Sequence, residues 1–240
     1  MKVAACQLPD IRDDIDQSLT LVHTFAFAAG ERGADLVCFP ECFLQGYFTD
    51  ADSVERVAID LESVEFSSIL EGLRDLSPNL VMGLIERRGT ALFNTAVVVE
   101  RGALVCKYRK VNLLTCERDI FQVGTEYPVF DVRGVNVGIN ICYDLNFSET
   151  VKNTAKAGAN VIICPSNNML DRKAAEAWKY RHTEIRALRA SEAGVWLVSA
   201  DVTGECEDRI SYGPTALIDP SGSVVDQVPL MQIGMIIGEI

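Results

Sequence analysis

Three chemically reactive side chains each lie at the end of an apolar, strand-like run of the sequence. Glu41 follows ADLVCFP, Lys110 ends ALVCKYRK, and Cys142 ends VNVGINIC. In α/β proteins, pockets form beyond the carboxyl ends of strands, where loops meet and side chains leave the packed core. The positions therefore predict that a carboxyl group, an ammonium group and a thiol share one pocket.

These three groups have the chemistry of nucleophilic catalysis. The thiol of Cys142 would be held rigidly by its strand and exposed by the polar turn that follows. A thiol attacks as the thiolate, and a free cysteine has a pKa of about 8.5, so it needs a neighbouring base or cation. Glu41 follows an apolar tripeptide, and burial of this kind raises a carboxyl pKa toward that of a general base. Lys110 could then stabilise the oxyanion of a tetrahedral intermediate.

Each of these residues also has a purely structural interpretation. A cysteine on a strand usually packs in the hydrophobic core. A glutamate after proline can simply begin a loop, and KYRK can be the solvent-exposed edge of a strand. Histidine is the more usual base, but His23 and His182 are the only two in the chain. His182 lies in a run with helical spacing, where packing or exposure is its more common role. The catalytic interpretation therefore rests on the three residues as a set.

The composition is typical of a globular protein with a substantial core. Of 240 residues, 48% are hydrophobic and 23% are charged,. The formal net charge of −12 disfavours nucleic-acid backbones and anionic membrane surfaces as partners,. No apolar run reaches the roughly 18 residues that span a bilayer, and the N-terminus lacks the features of a signal peptide. We therefore expect a cytoplasmic protein with no nucleic-acid or membrane partner.

The eight cysteines do not form a recognisable disulfide or zinc pattern. Most lie inside apolar runs, and no two are spaced as CxxC. This predicts reduced thiols rather than a disulfide framework. Neither histidine lies near a cysteine cluster, so we expect no metal site.

Strand-like runs alternate with amphipathic segments along the whole chain. Helical spacing recurs over 14–30, 53–74, 146–159 and roughly 171–193, and the last of these is predicted as one long helix,. Hairpins are predicted at Gly89-Thr90 and around Pro220-Ser221-Gly222. No linker or repeat interrupts residues 1–240, which we interpret as one α/β domain. About a dozen strands favour two packed sheets with helices outside.

Three segments, in this order, resemble the signature motifs of the nitrilase superfamily of carbon–nitrogen hydrolases: FPECFLQGY (39–47), KYRKVNLLTCERDIFQVG (107–124) and GINICYDLNFSE (138–149). The segments GANVIICPS (158–166) and SYGPTALIDPSGSVV (211–225) agree, so the resemblance spans essentially the whole chain. It implies an α/β fold with a four-layer α-β-β-α sandwich, in which helices flank two mixed β-sheets. Residues 1–240 would then be a single carbon–nitrogen hydrolase domain.

The resemblance also implies a Cys-Glu-Lys site that uses no metal and no organic cofactor. Carried over by position, Cys142 is the nucleophile, Glu41 the general base and Lys110 the oxyanion stabiliser. Glu117 matches a second glutamate that many members place beside the lysine and the substrate. The backbone N–H of Tyr143, just past the nucleophile, would complete the oxyanion hole.

Substrate preference depends on loops, and we expect the pocket to be lined from 47–53, 114–120 and 167–178. Tyr47 and Trp178 are predicted as pocket walls that contact the substrate, with aromatic core packing as the alternative for each.

Several positions depart from the common family pattern: Asn112, Asn146, Ser148, Ala193-Gly194 and Asp201. Asn112 stands where histidine is common, and Asn146 where arginine is common. The second change removes a possible carboxylate clamp or supporting ion pair. These departures bear on the choice of substrate and leave the predicted catalytic residues intact.

The predicted reaction is hydrolysis of a non-peptide C–N bond, an amide or N-carbamoyl group of a small linear substrate. It would proceed through a thioester on Cys142 and release ammonia or an amine. One alternative is a nitrilase, which forms a thioimidate at Cys142 and releases an acid. Another is a non-catalytic or ammonia-supplying module of a larger assembly. A redox or metal-binding thiol protein is disfavoured by the cysteine spacing.

The resemblance further implies a homo-oligomer, a dimer or a larger assembly. The apolar C-terminal run GMIIGEI is an independent but weak indication, because it would be unfavourable at a solvent-exposed sheet edge,.

Overall fold

Strands and helices alternate along the chain of the computed structural model, which describes residues 1–240. The strands are β1 (Lys2–Pro9), β2 (Leu36–Cys38), β3 (Ile59–Asp60), β4 (Asn79–Arg88), β5 (Ala91–Glu100), β6 (Ala103–Arg109), β7 (Val129–Val132), β8 (Val135–Ile139), β9 (Val161–Pro165), β10 (Leu170–Asp171), β11 (Trp196–Cys206), β12 (Arg209–Ser211), β13 (Ala216–Ile218), β14 (Val224–Gln227) and β15 (Gly234–Glu239). The helices are α1 (Ile15–Glu31), α2 (Ala51–Val57), α3 (Val64–Gly72), α4 (Ser148–Lys156), α5 (Arg172–Trp178) and α6 (Arg181–Ala193). A short 3₁₀ turn covers Cys142–Asn146.

The strands form two mixed sheets that meet at β1. In the first sheet, β1, β2 and β4 run parallel, and β5 and β6 continue it antiparallel. In the second, β11, β9 and β8 run parallel, with β7 antiparallel at one edge and the β13–β14 hairpin beside β11. Residues 7–9 of β1 pair with β11, while its earlier residues pair with β2 and β15.

Three apolar clusters define four layers. Side chains alternate between the two faces of a strand, so Val3 and Ala5 of β1 face the second sheet and pack in one cluster with Ile139 of β8,. The opposite face of β1 packs on α1 and α3. The outer face of β9 packs on α4 and α6. The predicted α-β-β-α sandwich is confirmed.

Side-chain caps set the start of most helices. Asp14, Asp50, Ser63 and Asp171 each accept a hydrogen bond from a backbone N–H in the first turn of α1, α2, α3 and α5 respectively,. Gly194, in the left-handed conformation, ends α6,. None of the six helices combines the length and the apolar character that crossing a membrane requires.

The prediction of one long helix over 171–193 is wrong, because α5 and α6 are separated at Lys179 and Tyr180. Neither glycine nor proline marks this break in the sequence. The two helices pack on different partners: α5 contacts β10 and β12, whereas α6 contacts α4, β11 and β13. Tertiary packing therefore sets the break.

Both predicted hairpins are confirmed, and the C-terminal run forms a strand that pairs within the chain. β4 and β5 turn at Gly89-Thr90, and β13 and β14 turn over residues 219–223. β15 pairs antiparallel with β1 and places Ile236 in the core between the sheets. Since this strand finds its partner within the chain, it does not itself require a second copy. The homo-oligomer stays a prediction.

Candidate active site

Glu41 lies in the turn after β2, packed against a glycine of β4. Cys42 adopts a left-handed conformation with φ of 49°, which reverses the chain. A Cβ atom at Gly83 would lie 2.4 Å from the Pro40 carbonyl oxygen and 2.4 Å from the Cys42 nitrogen. Only glycine lets the turn approach the strand so closely. The Glu41 side chain is then covered, and the Asn167 backbone N–H donates to its Oε2 at 2.9 Å.

The Lys110 ammonium group lies between two carboxylates just beyond the end of β6. Its Nζ donates to Glu41 Oε1 at 2.7 Å and to Glu117 Oε1 at 2.9 Å, and all three side chains are at most 1% exposed. Asn94 of β5 donates through Nδ2 to the same two carboxylates, at 2.8 and 3.2 Å. The Tyr47 hydroxyl donates to Glu117 Oε1 at 2.9 Å. The buried cluster thus holds two carboxylates and one ammonium group.

This imbalance of charge sets the protonation behaviour of the cluster. Burial raises the pKa of Glu41, and although Lys110 opposes this, the neighbouring Glu117 adds to it,. Burial alone would lower the pKa of Lys110, but Glu41 and Glu117 outweigh it and hold that pKa well above its ordinary value. Lys110 is therefore a fixed cation, and Glu41 is a carboxyl group with an increased affinity for a proton.

Cys142 begins the 3₁₀ turn with a φ of 40°, a conformation that residues other than glycine rarely adopt,. The sequence predicted a strand up to Cys142, but β8 ends at Ile139. The backbone is still extended at Ile141, and the chain turns at Cys142. The Asp144 carboxylate fixes this turn by accepting from the backbone N–H groups of Ile141 at 2.9 Å and Asn112 at 2.7 Å. The turn thereby presents Cys142 to a cavity.

The Cys142 thiol needs a base before it can attack. Burial raises its pKa well above the ordinary value, the charge of Glu41 raises it further, and Lys110 lowers it. At neutral pH the sulfur therefore keeps its proton. The thiol also lies 3.7 Å from Asn168 Oδ1, which can accept its hydrogen.

The cavity beside Cys142 has a volume of about 250 Å³. Tyr143 and Trp178 line it, as does Asn146. Tyr47 does not: it is 9% exposed, and its hydroxyl holds Glu117. Asn112 does not line it either, because its side chain donates to Asp144 and to Thr150.

A second buried ion pair supports the wall of this cavity. Arg186 Nη2 donates to Asp201 Oδ2 at 3.0 Å and to Ser166 Oγ at 2.9 Å. The Asp201 carboxylate in turn accepts from the backbone N–H of Asn168 at 3.0 Å and from its side-chain amide. The pair therefore fixes the amide whose oxygen faces the Cys142 thiol.

Comparison with known proteins identifies the family. Residues 2–240 match the sequence profile of the carbon-nitrogen hydrolase family. The chain is a carbon–nitrogen hydrolase. It is 29% identical over 227 residues to an (R)-stereoselective amidase from Pseudomonas sp., covering 94% of the hydrolase and 80% of the amidase. It is also 32% identical over 229 residues to a nitrilase from Pyrococcus abyssi, covering 94% and 84% of the two chains.

Solved structures agree with this assignment to the nitrilase superfamily. The hydrolase matches the crystal structure of an amidase from Nesterenkonia sp. with a TM-score of 0.85 and 26% identity, over 99% of its own chain and 89% of the other. A mutant of that amidase, matched with a TM-score of 0.86 and 26% identity over 100% and 93% of the two chains, shows the result of Michael addition of acrylamide at its active-site cysteine. The resemblance to the nitrilase superfamily is confirmed.

The sequence predictions for this hydrolase missed two groups of residues. Asn94 was not among the predicted site residues, although an amide within the apolar run ALFNTAVVVE is a usable signal of a buried polar contact,. The pairing of Arg186 with Asp201 had no local signal. Asp201 had been noted only as a departure from the family pattern.

Proposed function

We propose that this hydrolase cleaves the C–N bond of a small linear amide or N-carbamoyl compound through a thioester on Cys142. The observation that carries the proposal is the buried cluster of Glu41, Lys110 and Glu117 behind a thiol that opens to a cavity. A carboxyl group with a raised pKa can both accept and return a proton, and a fixed ammonium group can stabilise developing negative charge.

In the first step Glu41 takes the proton of the Cys142 thiol, and the sulfur attacks the carbonyl carbon. The C=O π pair moves to oxygen, which becomes an oxyanion. Lys110 and the backbone N–H of Tyr143 stabilise this charge. Tyr143 lies in the first turn of the 3₁₀ segment, where backbone N–H groups have no acceptor within the helix,.

In the second step the tetrahedral intermediate collapses. Protonated Glu41 gives its proton to the leaving nitrogen, the C–N bond breaks, and ammonia or an amine departs. The acyl group stays on sulfur as a thioester. Water, deprotonated by the same glutamate, then attacks the thioester carbon, and the acid is released as the Cys142 sulfur takes back the proton.

Glu117 helps to keep the pKa of Glu41, the proposed general base, raised. Its Oε1 accepts from Lys110, and its Oε2 accepts from the Leu114 backbone N–H at 2.7 Å, so its carboxylate cannot turn away. Its charge adds to the rise in the pKa of Glu41. We therefore assign it a positioning and electrostatic role, with proton transfer left to Glu41.

Amide cleavage has more support than nitrile cleavage. The (R)-stereoselective amidase and the Nesterenkonia amidase both resemble the chain over most of its length. The likeness to the Pyrococcus abyssi nitrilase supports the second candidate, in which Cys142 adds to a nitrile to give a thioimidate.

Trapping the covalent intermediate tests the proposal. The protein is mixed with matched amides and nitriles, ammonia release is followed, and the intact mass is measured after rapid acid quench. We expect an adduct on Cys142 equal to the amide mass minus ammonia, and no adduct or turnover with Cys142→Ala. Faster nitrile turnover with a thioimidate mass would favour the nitrilase. Turnover that persists in Cys142→Ala would contradict both candidates.

A further inference from the structure

The cavity beside Cys142 has an apolar wall. Leu145, Leu170, Ala174, Trp178 and Ile185 contribute its carbon surface. No carboxylate and no lysine line it, so its only ionisable side chains besides Cys142 and Tyr143 are His182 and Arg186. Among the residues that line the cavity, these two are therefore the candidates to pair with a carboxylate on the substrate.

His182 is a neutral part of the wall. Its ring packs against Trp178 with centroids 5.2 Å apart. Burial, with the nearby charge of Arg186, lowers the pKa of His182 to about 3,. The imidazole is therefore uncharged at neutral pH, and with the indole, to which it is tilted by 31°, it forms an aromatic part of the wall.

Arg186 is charged, but its terminal nitrogens are already occupied. Nη1 donates to Ser199 Oγ at 3.1 Å and to the Pro214 carbonyl oxygen. Nη2 donates to Ser166 and to Asp201, and the side chain is only 4% exposed. The Asp201 carboxylate balances the charge of the guanidinium group, so none of the residues that line the cavity offers a cation free to pair with an anion on the acyl group.

We propose that the group retained on Cys142 is uncharged and apolar, so that the substrates are small aliphatic or aryl-aliphatic carboxamides, and that amides carrying a carboxylate are rejected. This rests on the proposed function, because it describes the acyl part of the same substrate. A carboxylate moved into this wall would lose its water and gain no cation. A volume of about 250 Å³ limits the acyl group to a small one,.

Two amides of nearly the same shape test the charge preference. 4-Methylpentanamide ends in an isopropyl group where succinamate has a carboxylate, and both carry the same primary amide. We expect kcat/KM to favour 4-methylpentanamide by on the order of 100-fold, since the residues that line the cavity offer the carboxylate no unpaired cation,. Equal or faster turnover of succinamate would overturn the inference.

Binding to Cys142→Ala separates this inference from the proposed function. NMR titration of that variant with the two amides measures the preference without turnover, and we expect measurable binding of 4-methylpentanamide only. If this preference holds while the wild-type protein releases no ammonia from either amide, the proposed function fails and the inference stands. If 4-methylpentanamide does not bind, or both bind equally, the inference fails whatever the turnover.

A charge placed in the wall should change the preference. Ala174 lines the cavity from α5, and Ala177 lies exposed on the same helix. We expect Ala174→Arg to raise the ratio of succinamate to 4-methylpentanamide turnover by on the order of tenfold, because a cation can now pair with the carboxylate. The matched variant Ala177→Arg should keep the wild-type ratio. An unchanged ratio in Ala174→Arg, or an equal change in both variants, would contradict the proposal.

Discussion

Glu41 and Glu86 are buried carboxylates that accept hydrogen bonds from lysine, and they lie on opposite faces of the same part of the first sheet. Side chains alternate along β5, so Asn94 faces Glu41 while its neighbour Thr95 donates to Glu86 at 2.8 Å,. Glu86 accepts from two cations, Lys107 at 2.7 Å and Arg109 at 2.8 Å. Glu41 shares its single ammonium group with Glu117.

The ratio of cations to carboxylates gives the two glutamates opposite properties. Burial would raise the pKa of Glu86, but hydrogen bonds from Arg109, Lys107 and Thr95 outweigh it and hold that pKa below its ordinary value. For Glu41 the effect of burial prevails, and its pKa is raised. Glu86 therefore keeps its charge and has the properties of a structural ion pair, whereas Glu41 can exchange a proton.

Neutralising each glutamate in turn should give the largest difference. We expect Glu41→Gln to lower kcat/KM by about 10³-fold, because a glutamine cannot take the thiol proton. The matched variant Glu86→Gln should keep the wild-type kcat/KM. Ammonia release measured under saturating and limiting amide checks both. Comparable losses in the two variants would mean that the proton is transferred elsewhere.

Two neighbouring residues of β5 offer a second, smaller contrast. Asn94→Ala removes a donor to Glu41 and Glu117, and we expect kcat to fall by about tenfold as the carboxylates lose one hydrogen bond,. Thr95→Val removes a donor to Glu86 only, and should leave kcat unchanged while lowering the free energy of unfolding by about 1 kcal/mol. Steady-state kinetics and urea unfolding distinguish the two. Loss of kcat in Thr95→Val would contradict the separation of the clusters.

The two glutamates should also contribute oppositely to stability. The folded pKa of Glu86 lies below its ordinary value of 4.5, so its contribution is present above that pH and is lost as pH falls through the folded pKa,. At pH 7 we expect Glu86→Gln to lower the free energy of unfolding by about 2 kcal/mol, since two cations lose their buried partner.

Glu41→Gln is expected to be as stable as the wild type at pH 7, or more stable. The raised pKa of Glu41 means that its ionisation opposes folding as pH rises above the ordinary value of 4.5,. Urea unfolding at pH 7 and at pH 5 measures both variants. Equal destabilisation by the two substitutions would remove the distinction between the structural carboxylate of Glu86 and the proposed general base Glu41.

The smallest expected effect is a shift of the acid limb of the pH profile. Because the charge of Glu117 raises the pKa of Glu41, we expect Glu117→Gln to move the acid limb of kcat/KM to lower pH, besides any loss of rate,. Glu86→Gln serves as the control and should leave the limb in place. If the acid limb moves to higher pH in Glu117→Gln, the limb reports the ionisation of a group other than Glu41.

The sequence predicted those parts of the site that are local. Glu41, Lys110 and Cys142 each follow an apolar strand. The structure brings Lys110 into contact with Glu41, and both charges act on the Cys142 thiol, which lines the cavity. The four layers followed from the family motifs and from alternating strands and helices. Hairpin turns were predictable because Gly89 and Gly222 occupy positions of positive φ,.

The parts that were missed depend on contacts between distant segments. Arg186 and Asp201 come together only because α6 packs across β11, and no local pattern specifies that register. Tyr47 was expected at the cavity wall. Instead, the loop after β2 packs against Leu113 and Phe121, and the Tyr47 hydroxyl donates to Glu117. The break at Lys179 likewise depends on which strands each helix covers.

Gly83 has a consequence for how the enzyme tolerates change. Its missing side chain creates the space in which the turn bearing Glu41 sits. A methyl group added at Gly83 would displace the turn and move the Glu41 carboxylate away from the Cys142 sulfur. None of the chemically reactive residues would have been replaced. In a saturation-mutagenesis survey, this unreactive position in the middle of a strand should therefore be as intolerant of substitution as Cys142, the proposed nucleophile.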